Sequence, residues 1–409
     1  MANFNLTDAS ALFKIKYEKL SENVYNSANV LLGRCKKSYD FVGSDMRIAI
    51  PQSFAGGVGS GSLPTASKAQ YGSAKIEAKK LYARVEVDRE TIKAALKDEG
   101  SFVRATKEVV KKGVESYMRN MSRILFSDST GKLGTVYSIT VDGQDEITLN
   151  VGLYKEADLE EGDLVDIMNG SSSSKRNLSG PLEITSVEVQ SDGTCQVVIS
   201  GSESAGAQVA DEIFMQNSKN NDPEGLKGIV KSKASLDSAS KTPYGITPTR
   251  KWSSVENSAS SASISTDLLN KLMLDVEKKC GKAPNLLITS YKQYEKILNL
   301  LEDNKRYEVK TRAGLKSKSG ADISFSGIEF MSSAGPVGIF PERFCDDDRV
   351  YALNDNHIHI HHRPDFGWFD DDGTVFLRKS DSDAYEARYG GYLQVYINPA
   401  FQGVLTDLA

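Results

Sequence analysis

"VDRETIKAALKDEGSFVRATKEVVKKGVESYMRNMSRILFSDSTGKLG", residues 87–134, carries the clearest pattern in a chain of 409 residues. Between residues 101 and 126, Phe102, Ala105, Val109, Val110, Val114, Tyr117, Met121, Ile124 and Leu125 recur at intervals of three and four. That spacing puts them on one stripe of an amphipathic helix, about 39 Å long at 1.5 Å per residue. Glu108 with Lys112, and Glu115 with Arg119, stand four apart in the favourable order on the polar side. The turn-forming residues of "SDSTG" end the helix. The basic excess of Arg104, Lys107, Lys111, Lys112, Arg119 and Arg123 reads as a solvated face rather than a nucleic-acid site.

Upstream, "MRIAIPQSFAGGVGSGSLPTASKAQYGSAKIEAKKLYARVEVD" has strand-like runs at both ends and a Gly/Ser-rich middle, the pattern of a long hairpin with a loose tip. Gly56, Gly57, Gly59 and Gly61 form neither a Walker loop nor a G-x-G-x-x-G. In the return strand Ile76 and Ala78 share one parity, and Leu81, Ala83, Val85 and Val87 the other. A bulge or strong twist near Lys79 and Lys80 is the expected cause. Before the hairpin, residues 8–32 are loosely helical and read as an arm with a helix.

Downstream, the runs "VYSITV", "EITLNV", "DLVDIM", "LEITSVEV", "CQVVI" and "DEIFMQ" alternate between turn residues, predicting an all-β unit over residues 135–222 of a size that suits a small barrel. Its polar flanks fit an insertion into a larger domain. The pattern then becomes mixed. "ISTDLLNKLMLDVEKKCG" is a helix stopping at Gly281, "PNLLITS" a buried strand, and Ser290 with Gln293 a capping box for the next helix. "KRYEVKTRAGLKSKSG" is a basic loop that suits either solvent, a phosphate backbone or another subunit's acids, and the remainder returns to strands.

Composition narrows the function. Hydrophobic content of 39% supports folding, the length predicts two or three packed units, and a net charge of -5 supplies no global basic field for nucleic acid or an anionic membrane. The four cysteines form no C-x-x-C pair, favouring a reducing compartment over zinc clusters or dense disulfides. No stretch near 18 apolar residues occurs, so no membrane partner is expected. All four histidines lie in "NHIHIHHR". His357, His359 and His361 alternate with isoleucines, so on one strand they share a face, and three imidazoles so spaced are candidate zinc ligands with an open position. Ligands from a second element are not evident, and Asp346–Asp348 and Asp370–Asp372 sit in turn-like segments. The expectation is no cofactor, no metal and no catalytic residue.

The order of parts resembles the major capsid proteins of tailed bacteriophages. The matching segments are "VDRETIKAALKDEGSFVRATKEVVKKGVESYMRNMSRILFSDSTGKLG", "GKAPNLLITSYKQYEKIL", "RVYALNDNHIHIHHRPDFGW" and the ending "GGYLQVYINPAFQGVLTDL". The resemblance implies an α+β, Hong Kong 97-type fold: an arm (1–45), an extended hairpin (46–90), a spine helix (91–134), an inserted all-β domain (135–222), an axial domain (223–345) and peripheral strands with the C-terminus (346–409). It implies a non-enzymatic subunit that assembles with itself into pentamers and hexamers. The expected product is an icosahedral or prolate shell around double-stranded DNA, built in the host cytoplasm and located in the virion. Implied partners are a separate scaffolding protein, since the arm begins almost at Met1, a portal protein and a decoration protein. No cross-linking lysine–asparagine pair is identified. Interface candidates are Phe54, Gly57, Gly59, Gly61, Leu63 and Tyr71 in the tip region 53–72, and Lys305, Arg306, Lys310, Arg312, Lys316 and Lys318 in the basic loop. An encapsulin-like compartment shell, a tail or baseplate component and a zinc-dependent hydrolase are the alternatives.

Overall fold

The parity switch in the hairpin's return strand marks a change of sheet. In the computed structural model, which describes residues 29–38, 45–53, 70–88, 99–141, 146–152, 159–172, 174–189, 195–202, 205–239, 242–303, 314–316, 322–324, 328–333, 335–369, 377–380 and 382–409, the strand stops at Glu77 and a new one starts at Lys79. The chain begins with α1 (Val30–Arg34) and β1 (Lys36–Ser38), then runs through β2 (Asp45–Ser53), β3 (Gln70–Glu77) and β4 (Lys79–Asp88) into the long helix α2 (Glu99–Phe126). Among the described residues strand β3 pairs with β2 alone, from Glu77↔Asp45 to Gln70↔Ser53, whereas β4 joins a different sheet. Ala74 and Ile76 are buried before the break and Val85 after it. The expected bulge is therefore a strand boundary at Ala78.

Six strands follow: β5 (Lys132–Val141), β6 (Glu146–Gly152), β7 (Leu164–Met168), β8 (Leu182–Val189), β9 (Cys195–Ser200) and β10 (Glu212–Met215). They close into a barrel in the order β10-β5-β6-β9-β8-β7. Its interior is apolar, with Val165, Ile167, Ile184, Val197, Ile199 and Ile213 fully buried, each contributing about 1.5–3 kcal/mol by burial.

The next segment contributes α3 (Leu226–Ile229), α4 (Lys233–Asp237), β11 (Val255–Ser258), α5 (Thr266–Cys280), β12 (Leu286–Thr289), α6 (Tyr291–Asp303), β13 (Gly314–Lys316), β14 (Asp322–Ser324), β15 (Ile328–Ser332), β16 (Gly335–Pro341) and β17 (Val350–Leu353). The chain ends with β18 (Ile358–Trp368), β19 (Leu377–Arg378), β20 (Ala384–Ile397) and β21 (Gly403–Thr406). One sheet runs β1-β18-β20-β19 with β4 also on β20, and a second runs β11-β21-β17-β12-β16-β15. A single core joins them, because Ile358, Val395 and Leu393 of the first sheet pack in one cluster with Leu286, Ile288 and Val404 of the second. Helix α5 has Ser265 as N-cap and Gly281 at φ 72° as its left-handed stop. The capping box on α6 is only half formed: Ser290 accepts from Gln293 N–H, but the Gln293 amide donates instead to Asp347 O and Ala409 O, fastening the C-terminus.

Helix α2 lies on the first sheet. Tyr117 meets Tyr389 edge-to-face at 5.1 Å, and a Cβ on Gly113 would come within 2.6 Å of Val85, so glycine sets how closely helix and strand approach. Among the described residues no helix is long and apolar enough to cross a membrane.

Candidate assembly surface

The last two turns of α2 hold the arginines that sequence assigned to solvent. Arg119 reaches Asp163 at 2.5 Å and Glu160 at 2.9 Å, both preceding β7, and Arg123 reaches Asp222 at 3.1 Å with both side chains 8% exposed. The expected Glu115–Arg119 pair is replaced by Lys111–Glu115, 3.6 Å apart. Barrel and helix are thus joined by ion pairs, those of Asp163 and Asp222 largely buried and that of Glu160 half exposed, that no i,i+4 rule anticipates. A signal was present in residue type: the earlier basic positions Lys111 and Lys112 are lysines, while these two are arginines, whose planar fork suits buried carboxylates.

Between β4, α2 and the barrel lies a cleft of about 820 Å³, lined by Leu81, Tyr82, Ser116, Asn120, Leu164 and Asn217 among others. Its outer rim is polar and aromatic. Tyr82 is 46% exposed, with Phe369 and Tyr392 edge-on at 5.7 and 6.4 Å. Burial, then the hydrogen bond to Tyr392, pushes the Tyr82 phenol up to about 12, so it stays a neutral donor in ordinary buffers. Gly390 pairs with Tyr82 and has no room for a side chain, a Cβ there meeting Leu81 O at 2.3 Å. Gly390→Val is expected to cost about 1–3 kcal/mol by overpacking, read as a lower urea midpoint; an unchanged midpoint would mean the strands separate freely here.

Of the interface candidates, Tyr71 is 60% exposed on β3. Phe54, Gly57, Gly59, Gly61, Leu63, Lys305, Arg306, Lys310, Arg312 and Lys318 lie outside the described residues, as does the arm upstream of Asn29. Lys316 closes the short strand β13, paired with Asp322 of β14.

The histidines separate. His357 ends a 3-10 turn ahead of the strand and stacks on Phe401 at 3.7 Å, leaving His359 and His361 together on β18 with ring centres 6.0 Å apart. Burial, then Lys282, His359 and Lys36, lowers the His357 pKa; burial, then Lys36, lowers that of His359. Both rings are therefore neutral at pH 7. Asp346 is engaged with Lys227 and Arg349 at 3.1 and 3.5 Å. Among the described residues no group of three His, Cys, Asp or Glu is placed to hold a metal.

Where the chain enters the body, Asn29 caps α1 through Leu32 N–H, and Glu342 accepts from Val30 N–H at 3.3 Å and Arg343 N–H at 3.2 Å. Glu342 is 5% exposed, and burial pushes its carboxyl up to about 7 against the pull of those two N–H groups.

No protein-family model matches the sequence, and no curated protein matches it. The solved structures supply the class: this mixed α+β chain has the fold of a phage capsid protein. In particular, it is similar to the cyanophage A-1(L) capsid asymmetric unit at a TM-score of 0.50 and 10% identity, over 92% of this chain and 90% of that one. The capsid of an empty GTA particle (0.43, 10% identity, 92% and 89% covered) and Mycobacterium phage Bobi (0.42, 10% identity, 100% and 99% covered) also match. The fold assignment rests on the first of the three.

Proposed function

We propose that the chain is the major capsid protein of a tailed bacteriophage, with a Hong Kong 97-type fold, and acts by assembly rather than catalysis. The carrying observation is the likeness of fold to a cyanophage capsid over 92% of the chain. On this reading α2 is the spine helix, its sheet the peripheral domain, the second sheet with α5 and α6 the axial domain, β2–β3 the base of the extended hairpin, and the barrel an insertion. Copies join in fives and sixes into an icosahedral or prolate shell around double-stranded DNA, assembled in the host cytoplasm. A separate scaffolding protein, a portal protein and a decoration protein are the expected partners, and 53–72 and the basic loop supply contacts between copies. Overlap of this kind buries apolar and backbone groups that a lone subunit leaves wet.

Negative-stain microscopy with light scattering, on the protein alone and with the candidate scaffolding protein, should show shells, tubes or rings. A strict monomer under both conditions would overturn the reading, and particles filled with protein rather than DNA after infection would favour a cargo compartment. Two further outcomes follow. Protein purified without an affinity tag should carry no stoichiometric zinc, and His359→Asn should leave assembly unchanged; bound zinc lost in that variant would revive the hydrolase alternative. Replacing residues 136–221 by a short Gly/Ser bridge should yield insoluble or misassembled protein, because Arg119 loses both carboxylates. Normal shells from that deletion would refute a stabilising role.

A further inference from the structure

Around the end of α5, basic side chains gather from segments far apart in sequence. Lys279 donates to Ser253 O, Ser253 Oγ and Ser254 O at 2.8, 3.0 and 3.0 Å, and the Ser254 hydroxyl donates to Pro399 O at 2.8 Å. Pro399 opens the 3-10 turn that ends at Phe401. The Phe401 ring stacks on His357 and has the Lys282 ammonium 5.4 Å from its centre. Lys36 of β1 stands opposite His359 in the ladder and donates to Asn356 Oδ1 at 3.0 Å. Arg250 joins at the other end: its carbonyl accepts from the Ser253 hydroxyl at 3.3 Å, and its charge, after burial, lowers the Lys279 pKa to about 8.

The positive charge here is unbalanced. Among the described residues none of Lys36, Arg250, Lys279 and Lys282 forms an ion pair, whereas Lys132, Lys227, Lys233 and Lys379 elsewhere reach carboxylates at 2.9, 3.1, 2.5 and 3.2 Å. The acids of neighbouring segments are engaged otherwise. Glu256 accepts from Ser232 N–H and the Ser235 hydroxyl, Asp275 from the Asn257 amide and Glu277 from the Ser333 hydroxyl. Asp355 is held by Arg34 at 3.8 Å and by the Asn285 amide at 2.6 Å. The two histidines record the same excess, since after burial it is Lys282, His359 and Lys36 that lower His357, and Lys36 that lowers His359, with no carboxylate opposing them. In a chain of 55 acids and 50 bases, this surface reverses the average. A helix C-terminus carries about half a negative charge, which Lys278 and Lys279 in the last turn of α5 answer. Arg250, Lys282 and Lys36 exceed that need.

We infer that this surface binds the phosphate backbone of double-stranded DNA, with Lys36, Arg250 and Lys282 meeting phosphates while Lys279 and the His357–Phe401 stack fix the surface between them. Among the described residues no exposed large apolar side chain falls in segments 34–37, 250–254, 278–282, 354–359 or 398–402. The apolar centre of a protein interface is therefore lacking. Charges on long side chains suit phosphates and give a hold without sequence preference, weak because the contacts are few. This rests on the shell reading and names where packaged DNA touches the subunit.

The test is fluorescence anisotropy of a short labelled DNA duplex titrated with full-length subunit over a range of salt. Lys36→Gln, Arg250→Gln and Lys282→Gln should each reduce the slope of log affinity on log salt by about one, and the triple variant should bind at least about tenfold more weakly at low salt. Lys112→Gln with Lys132→Gln and Lys292→Gln removes equal charge from exposed positions elsewhere and should leave binding near wild type. An equal loss from that control would overturn the inference. Lys36→Arg with Lys282→Arg keeps the charge and should bind as wild type; a loss there would also count against it. Polyglutamate competing as well as DNA at equal charge would overturn it in favour of an acidic protein partner. In filled particles Lys36 and Lys282 should acetylate several-fold more slowly than in emptied ones, and equal rates would refute the contact. Shells that form from a subunit without DNA affinity would sink this inference alone, whereas DNA binding by a subunit that never assembles would remove the shell reading and leave the phosphate site standing.

Discussion

Arg123→Ala is expected to lower the unfolding free energy by about 3–5 kcal/mol, since it strands Asp222 in the interior without its cation. Asp222 is 6% exposed and lies 3.1 Å from the guanidinium; its other oxygen accepts from the Ser218 hydroxyl. Asp222→Ala should cost a similar amount by leaving Arg123 unpaired. The pair ties the last turn of α2 to the chain returning from the barrel, so its loss loosens two units together. Urea denaturation of both single variants and of Arg123→Met with Asp222→Leu measures the coupling; the double variant should recover much of the loss. A cost below about 1 kcal/mol for either single variant would place the pair with ordinary surface ion pairs.

Glu342→Gln should raise stability above neutral pH and do nothing below about pH 5. The Glu342 carboxyl titrates near 7 in the folded chain, above its usual range, because burial disfavours the anion. The folded state therefore holds this proton more tightly than the unfolded state, and that stabilisation is present in acid and lost as pH rises through 7. The shift corresponds to about 3 kcal/mol at most, part of which glutamine recovers while its oxygen still accepts from Val30 N–H. Melting temperatures of both proteins at pH 5 and pH 8 check this: coincident at the lower pH, with the glutamine variant higher at the upper. A glutamine variant less stable at pH 8 would show that the anion is the better cap for α1.

Elements with local periodicity were legible in the sequence. The stripe on α2, the six alternating runs that became β5–β10, and the Gly281 stop of α5 are each set by neighbours within a few residues. What stayed hidden depends on distant partners. The boundary at Ala78 exists because β3 and β4 pair with different strands, one of them about 300 residues away. The Gln293 amide was taken by the C-terminus rather than by its own helix, and Arg119 by the barrel. His357 left the strand because the turn at residues 355–357 stacks it on Phe401. The contact regions chosen from sequence, 53–72 and 305–318, fall almost wholly outside the described residues.

The two ends of the barrel segment meet: Asn220 N–H donates to Thr130 O at 2.8 Å, and Gly131 lies against Ser218 too closely to admit a Cβ. To the rest of the molecule, the excursion of about ninety residues is geometrically a single tight turn. Its size is therefore a free variable: lengthening, grafting onto or exchanging the module at its far loops leaves the positions of α2 and Asp222 unaltered. Sequence change at those loops is thereby uncoupled from the packing of helix and sheet at the base of the module.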